Sequence, residues 1–251
     1  MTFYEKHFLP NTEWKDSKFS VVDTKELFLK NLKTQPSNWH YRTKDVNYSY
    51  NSYGYRTQEF EIINWEQSIV IFGCSQVEGI GVSEDETINH YLSNIMNCPV
   101  INMGQSATSI WYSFYNSVIL SKFYPAPRAV VHLWTDPARY TIKERDNIAS
   151  INHCMPLNDR KSPFYMQWLK QAQNIEFHTN FITLAAECLW IGKSQYAAFT
   201  TFSALSDQFK CIETIDYARD LMHNGPQTNK LIAEEIAKEL MPTSSINKIH
   251  E

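Results

Sequence analysis

The sequence predicts an α/β protein: a parallel β-sheet covered on both faces by helices. Three observations carry this. Short apolar runs at 68–73, 99–104 and 128–134 alternate with stretches of helical length. The runs (SIVIFG, PVINMG, RAVVHLW) are largely apolar at successive positions, as strands buried on both faces require. The stretches between them are long enough for the crossover helices that parallel strands need.

Residues 1–65 are rich in Tyr, Trp, Asn and Lys and keep no steady apolar period, so they read as an aromatic-rich N-terminal arm packed on a main domain at 66–251. Within the arm, YSYNSYGYRT (48–57) alternates enough to predict a hairpin turning at Gly54. SIVIFG is the first strand of the main domain. SEDETINHYLSNIM (83–96) follows, with Ser83 and Glu86 at capping-box spacing. Ile88, Tyr91, Leu92, Ile95 and Met96 fall on one face of that helix. PVINMG is the second strand. SIWYSFYNSVILSKF (109–123) is the second helix, stopped by Pro125 and Pro127. RAVVHLW is the third strand. Residues 141–162 read as irregular, 163–173 and 177–191 as two helices, and QYAAFTTF (195–202) as a fourth strand. GPQTNKLIAEEIAKEL (225–240) closes the domain as an amphipathic helix. Pro226 lies in its first turn, and Ile232, Ala233, Ile236, Ala237 and Leu240 form its buried stripe.

Composition narrows the function classes. Of 251 residues, 43% are hydrophobic and 20% charged, enough for a real core, and the net charge is −4. That balance points away from nucleic acid and anionic membranes and toward a small or neutral partner. Cys74, Cys98, Cys154, Cys188 and Cys211 are scattered, which predicts reduced thiols. The N-terminus carries no continuous apolar segment of the signal-peptide kind, and no run reaches the ~18 apolar residues of a membrane helix. A cytoplasmic protein is expected, or one that leaves the cell by a route without such a signal. His132 and the pair His153–Cys154 lack a four-ligand spacing, so no metal is expected.

In open parallel sheets, ligands bind beyond the carboxyl ends of the strands. Gly73-Cys74-Ser75 follows the first strand, Gly104-Gln105-Ser106 ends and follows the second, and Thr135-Asp136-Pro137 follows the third. RDLMHNGP, with Asp220 and His223 three residues apart, precedes the last helix. A serine, a histidine and an aspartate arriving at one rim are the parts of an acyl-transfer site. Three-residue spacing in a helical turn is expected to bring Asp220 and His223 within reach of each other. Gly104, without a side chain, would let its N–H approach an oxyanion.

FGCS with EGIGV after it, NMG at the end of the second strand, and D220-L-M-H223-N-G before a terminal helix resemble the SGNH hydrolases, the GDSL-type esterases and lipases, over about residues 68–240. The resemblance implies a three-layer α/β/α sandwich with a mainly parallel, flavodoxin-like sheet. It implies Ser75 as nucleophile, His223 as general base, Asp220 as its orienter, oxyanion donors at Ser75 and Gly104, and no cofactor. The activity implied is that of a serine esterase acting on a carboxylic ester, such as an O-acetyl or short acyl group on a carbohydrate, or an acyltransferase using the same triad. Cys74 stands where the family has the Asp of Gly-Asp-Ser. Thr135 stands where it has the oxyanion Asn of Gly-x-Asn-Asp, and a hydroxyl is a shorter donor. That departure keeps open a degenerate SGNH-like module that binds glycans or serves in an assembly. The G-x-S-x-G elbow of α/β-hydrolases is excluded, because position 77 is Val77.

Each singled-out residue also has a plainer reading. Cys74 beside the serine is a buried packing thiol rather than a nucleophile, and His132 a satisfied core histidine. Asp220 could cap a short turn. Asp136 and Arg139 form a loop ion pair, or Arg139 meets an anionic substrate. Arg56 is exposed, or reaches the site if the arm folds over it. Aromatic residues of 40–60 are packing groups, or stack on a sugar.

Overall fold

The computed structural model describes residues 8–9, 16–144, 147–151, 163, 166–167 and 170–241, with the backbone alone for 142–151 and for Ala172. Five strands form a wholly parallel sheet: β1 (Ile69–Gly73), β2 (Val100–Gly104), β3 (Ala129–Trp134), β6 (Gln195–Thr200) and β7 (Lys210–Cys211). Their order is β2-β1-β3-β6-β7. In sequence terms this is 2-1-3-4-5, the flavodoxin-like arrangement, and the order reverses between β1 and β3.

Side-chain alternation along the strands divides the core into two layers. Ile69, Ile71, Val131 and Leu133 point to the face covered by α3 (Ile88–Met96) and by the C-terminal helix α6 (Pro226–Leu240). Val70, Phe72, Ile101 and Val130 point to the face covered by α4 (Ile110–Phe123) and α5 (Ala172–Trp190). The result is a three-layer α/β/α sandwich. β1 and β3 are buried at every position, which is why they read as continuous apolar runs.

Several local expectations are corrected. Ser83 and Glu86 do form the capping box, but it caps a 3-10 turn at Glu84–Glu86; the α-helix begins at Ile88 with Thr87 as its own N-cap. Residues 48–57 turn at Gly54 (φ 78°) without becoming a hairpin. Asn51 Oδ1 accepts the N–H groups of Tyr53 and Tyr55 and organises the turn locally, while Tyr48 pairs instead with Ser17. Part of the irregular stretch is an antiparallel ribbon, β4 (Tyr140–Glu144) with β5 (Asn147–Ile151); 152–162 lie outside the described residues. The helix expected at 177–191 starts earlier, as α5 at Ala172, while the described residues 163, 166 and 167 of the stretch expected at 163–173 are helical as read.

The arm also contains a helix, α1 (Lys25–Thr34), capped by Thr24, whose side chain accepts the Leu27 N–H. Its only fully buried residue is Asn31, so no apolar stripe announces it. The N-terminal segment packs closely on the sheet domain. Tyr55, Phe60 and Trp65 join the α4–α5 layer, and Tyr41, Val46 and Tyr48 close over Ile80. Among the described residues no helix is long and apolar enough to cross a membrane.

Candidate active site

β1 delivers Ser75 as the first residue of α2 (Ser75–Glu78), a single helical turn ended by Gly79 in the left-handed region. β3 delivers Thr135. Gly73 pairs with Leu133, so Ser75 and Thr135 each follow two residues after that pair at the point where the strand order reverses.

Asp220 and His223 arrive from a hairpin between β7 and α6. Its stem is held by Gly225 N–H to Asp216 O (2.9 Å) and Ala218 N–H to His223 O (2.9 Å). Asp216 also caps α6, accepting the N–H of Gln227 at 3.0 Å and of Thr228 at 2.8 Å. Gly225 leaves room for that carboxylate, since a Cβ there would lie 2.4 Å from Asp216 Oδ2. At the tip, Leu221 adopts φ 61°, which turns the chain so that Asp220 Oδ1 accepts both Met222 N–H (3.0 Å) and His223 N–H (3.1 Å). The pair therefore sits on a hairpin tip rather than in the helical turn expected, and Asp220 also serves the capping role of its plainer reading.

The three side chains meet. Asp220 Oδ2 lies 2.5 Å from His223 Nδ1, and His223 Nε2 lies 2.9 Å from Ser75 Oγ. Asp220 is buried, and burial alone would raise its pKa. The hydrogen bond and charge of His223, with the Met222 and His223 N–H groups, outweigh burial and hold the carboxyl below its ordinary value. An ionised Asp220 accepts the Nδ1 proton, which leaves the Nε2 lone pair facing Ser75 Oγ–H. The serine is 6% exposed.

The oxyanion expectations divide. The Ser75 N–H opens α2 and has no intrahelical partner. Thr135 Oγ1 is buried with no hydrogen-bond partner among the described residues. Gly104 is corrected: its N–H donates to Asn102 Oδ1 at 2.9 Å. The residue is glycine for another reason, because a Cβ there would lie 2.3 Å from Glu78 N and 2.7 Å from the Val77 carbonyl carbon. Gly104 lets the end of β2 press against the helix that carries Ser75.

The plainer readings also resolve. Cys74 is buried, its Sγ 3.9 Å from Ser75 Oγ. His132 is in the core, stacked between Phe72 (5.1 Å) and Trp134 (4.3 Å). It is not satisfied, since neither ring nitrogen has a partner among the described residues, and burial pushes its pKa down to about 3. Arg139 is buried and donates to Thr108 O at 3.2 Å, tying the loop after β2 to the loop after β3. Arg56 is buried rather than exposed, and donates to Gly79 O (2.6 Å) and Val82 O (3.1 Å) behind α2. His153 and Cys154 lie outside the described residues.

Sequence reasoning missed the residues that brace the site. Glu78, one turn after Ser75, is buried and accepts Ser106 N–H (2.5 Å) and Tyr50 O–H (3.0 Å), holding the loop after β2. Burial raises its pKa, opposed by Ser106, Tyr50 and Arg56. Gln76 Oε1 accepts Asn224 N–H at 2.9 Å and joins the Ser75 turn to the hairpin. Asn102 Nδ2 donates to Val77 O at 2.8 Å. A carboxylate between the apolar Val77 and the Gly79–Gly81 turn was the one available signal.

No protein-family model matches the sequence, and no curated protein matches it. Solved structures do. A protein of the G-D-S-L family from Desulfitobacterium hafniense matches with a TM-score of 0.40 at 10% identity, covering 69% of this chain and 99% of that one. A member of the lipolytic G-D-S-L family from Veillonella parvula matches with 0.34 at 15% identity, covering 68% and 96%. A carbohydrate acetylesterase from Sinorhizobium meliloti matches with 0.33 at 12% identity, covering 70% and 98%.

Proposed function

We propose that the protein is a serine esterase of the SGNH type, working through a Ser75–His223–Asp220 triad and an acyl-Ser75 intermediate. The observation that carries the reading is the continuous relay from Asp220 Oδ2 through the His223 ring to Ser75 Oγ, at 2.5 and 2.9 Å. Ser75 Oγ attacks the ester carbonyl carbon while His223 Nε2 takes its proton. The tetrahedral oxyanion is met by the Ser75 N–H and the Thr135 hydroxyl. His223 returns the proton to the departing alkoxide, leaving the acyl group on Ser75. Water, deprotonated by His223, then attacks that carbonyl; the second tetrahedral intermediate collapses with breakage of the acyl–Oγ bond, His223 returns the proton to Ser75 Oγ, and the carboxylic acid leaves. Asp220 fixes the imidazole tautomer and balances the imidazolium charge. A sugar hydroxyl in place of water turns the same steps into acyl transfer.

The substrate class is a small acyl ester on a polar alcohol, with O-acetylated carbohydrate as the leading case. A cavity of about 1200 Å³ along α5, β6 and residues 204–210 has neither Ser75 nor His223 among its lining residues. A second cavity of about 490 Å³ lies between the hairpin and the N-terminal segment. Trp39, His40, Tyr41 and Tyr217, with Gln35 and Gln227, are among its lining residues, and it too has neither Ser75 nor His223 in its wall.

The deciding experiment is covalent labelling with a fluorophosphonate probe alongside turnover of p-nitrophenyl acetate. Stoichiometric labelling of the wild type and none of Ser75→Ala is expected. The commitment of Gly104 N–H to Asn102 favours a second reading, a non-catalytic SGNH-like module in glycan binding or an assembly. A wild-type chain that is neither labelled nor active selects that second reading.

A further inference from the structure

We infer that Asp23, in the N-terminal segment, is the positioning residue that sets the Asp220–His223 hairpin against the nucleophile turn; the inference rests on the triad reading above. Arg219 immediately precedes Asp220, and its side chain leaves the hairpin for the N-terminal segment. Its Nε lies 3.1 Å from each oxygen of Asp23, and its Nη2 donates to Asp23 Oδ2 at 2.6 Å and to Lys18 O at 2.5 Å. The guanidinium carbon lies 4.7 Å from the Phe19 ring centroid and 5.2 Å from that of Phe28, so the cation packs against two neighbouring aromatic rings. Asn31 Nδ2 donates to Arg219 O at 3.0 Å, fixing its backbone from α1.

The same carboxylate reaches the other side of the site. Tyr48 Oη donates to Asp23 Oδ2 at 2.6 Å and accepts the Gly81 N–H at 2.8 Å. Burial first, then the Asp23 charge, hold the Tyr48 phenol protonated, so it remains a donor to Asp23. Gly81 follows the turn that begins at Ser75, and its carbonyl accepts Arg219 N–H at 2.9 Å. A Cβ on Gly81 would lie 2.7 Å from Ala218 Cβ and 3.3 Å from Asp220 Oδ1, so the two segments touch where their spacing fixes the reach of His223 to Ser75.

Asp23 thus accepts both from a donor tied to the hairpin and from a donor tied to the nucleophile turn. It is fully buried and Arg219 nearly so, which gives the join a single geometry rather than a solvated ion pair's range. Any displacement of the hairpin falls on the 2.9 Å Nε2–Oγ contact, used in the acylation step and not in ground-state binding of a small ester.

The test uses the full chain and compares wild type with Asp23→Asn in fluorophosphonate labelling, p-nitrophenyl acetate kinetics and proton NMR. Expected are a loss on the order of 10²-fold in labelling rate and kcat, with KM nearly unchanged, and a shift or loss of the downfield Nδ1 proton between His223 and Asp220. Asp23→Asn labelled at the wild-type rate, with that proton unmoved, overturns the inference and leaves the triad reading standing. A wild-type chain that is not labelled overturns the triad reading and the inference with it. If Asp23→Asn does not melt cooperatively, Tyr48→Phe decides: it keeps the Arg219 ion pair and cuts the link to Gly81. Slower labelling with unchanged KM then supports the inference, and wild-type behaviour overturns it.

Discussion

Replacing Thr135 with valine exchanges a buried hydroxyl for a methyl of nearly the same shape, and stability and activity should move in opposite directions. The hydroxyl is 2% exposed and unpartnered among the described residues, so the folded protein carries a desolvation cost of about 1–3 kcal/mol for it. Thr135→Val removes that cost. Unfolding free energy should therefore hold or rise by up to about that amount, with Tm rising about 2–4 °C per kcal/mol for a chain of this size. On the proposed mechanism the hydroxyl acquires a partner in acylation, the oxyanion. Losing one such donor lowers kcat by about 10²–10³, or roughly 2.7–4 kcal/mol of transition-state stabilisation. Thr135→Ser keeps the donor and should keep most of the rate. The assay pairs thermal melts with kcat and KM on p-nitrophenyl acetate. Wild-type kcat in Thr135→Val refutes the oxyanion role. A drop in stability of 1 kcal/mol or more refutes the premise that the hydroxyl lacks a partner in the resting protein.

Gly104→Ala keeps the backbone N–H but drives a Cβ to 2.3 Å from Glu78 N, which moves β2 or α2 by about 1 Å. It should cost about 1–3 kcal/mol in chemical denaturation and on the order of 10²-fold in kcat; a stable, fully active variant counts against the packing role. His132, with its pKa lowered to about 3, stays neutral in the folded state where the unfolded chain binds a proton. Stability should be fully present above about pH 6.5 and fall as pH drops from there toward 3, by up to about 1.4 kcal/mol per pH unit. His132→Phe should flatten that slope in urea titrations across the same range, and an unchanged slope places the titrating group elsewhere.

The sheet was legible because β1 and β3 are buried on both faces, which leaves a local mark in the sequence: an unbroken apolar run. Ser75, Asp220 and His223, which the fold brings within hydrogen-bonding distance of one another, could be singled out because each lies next to an element marked by an apolar run or an amphipathic helix. The spacing of Asp220 and His223 did not distinguish a helical turn from a hairpin tip, since a left-handed Leu221 brings positions i and i+3 together as well. Gly104 was misassigned because one residue type answers two demands, an exposed N–H and a close backbone approach. The arm was least legible. Its order comes from single polar side chains, Asp23, Asn31 and Arg56, each meeting a specific backbone or charge far along the chain, and such pairings impose no period.

The ion pair between Asp23 and Arg219 joins residues 196 apart in sequence. Closing a loop of that length costs roughly 5 kcal/mol of chain entropy, which local structure does not offset. The contact therefore belongs to the last stage of folding, after the sheet has drawn the two stretches together. A ribosome-bound chain can own Ser75 and a finished β1 long before it owns an aligned base. On the proposed triad, a chain that holds Ser75 without the hairpin has a nucleophile and no aligned base, so esterase activity would arrive only with this contact.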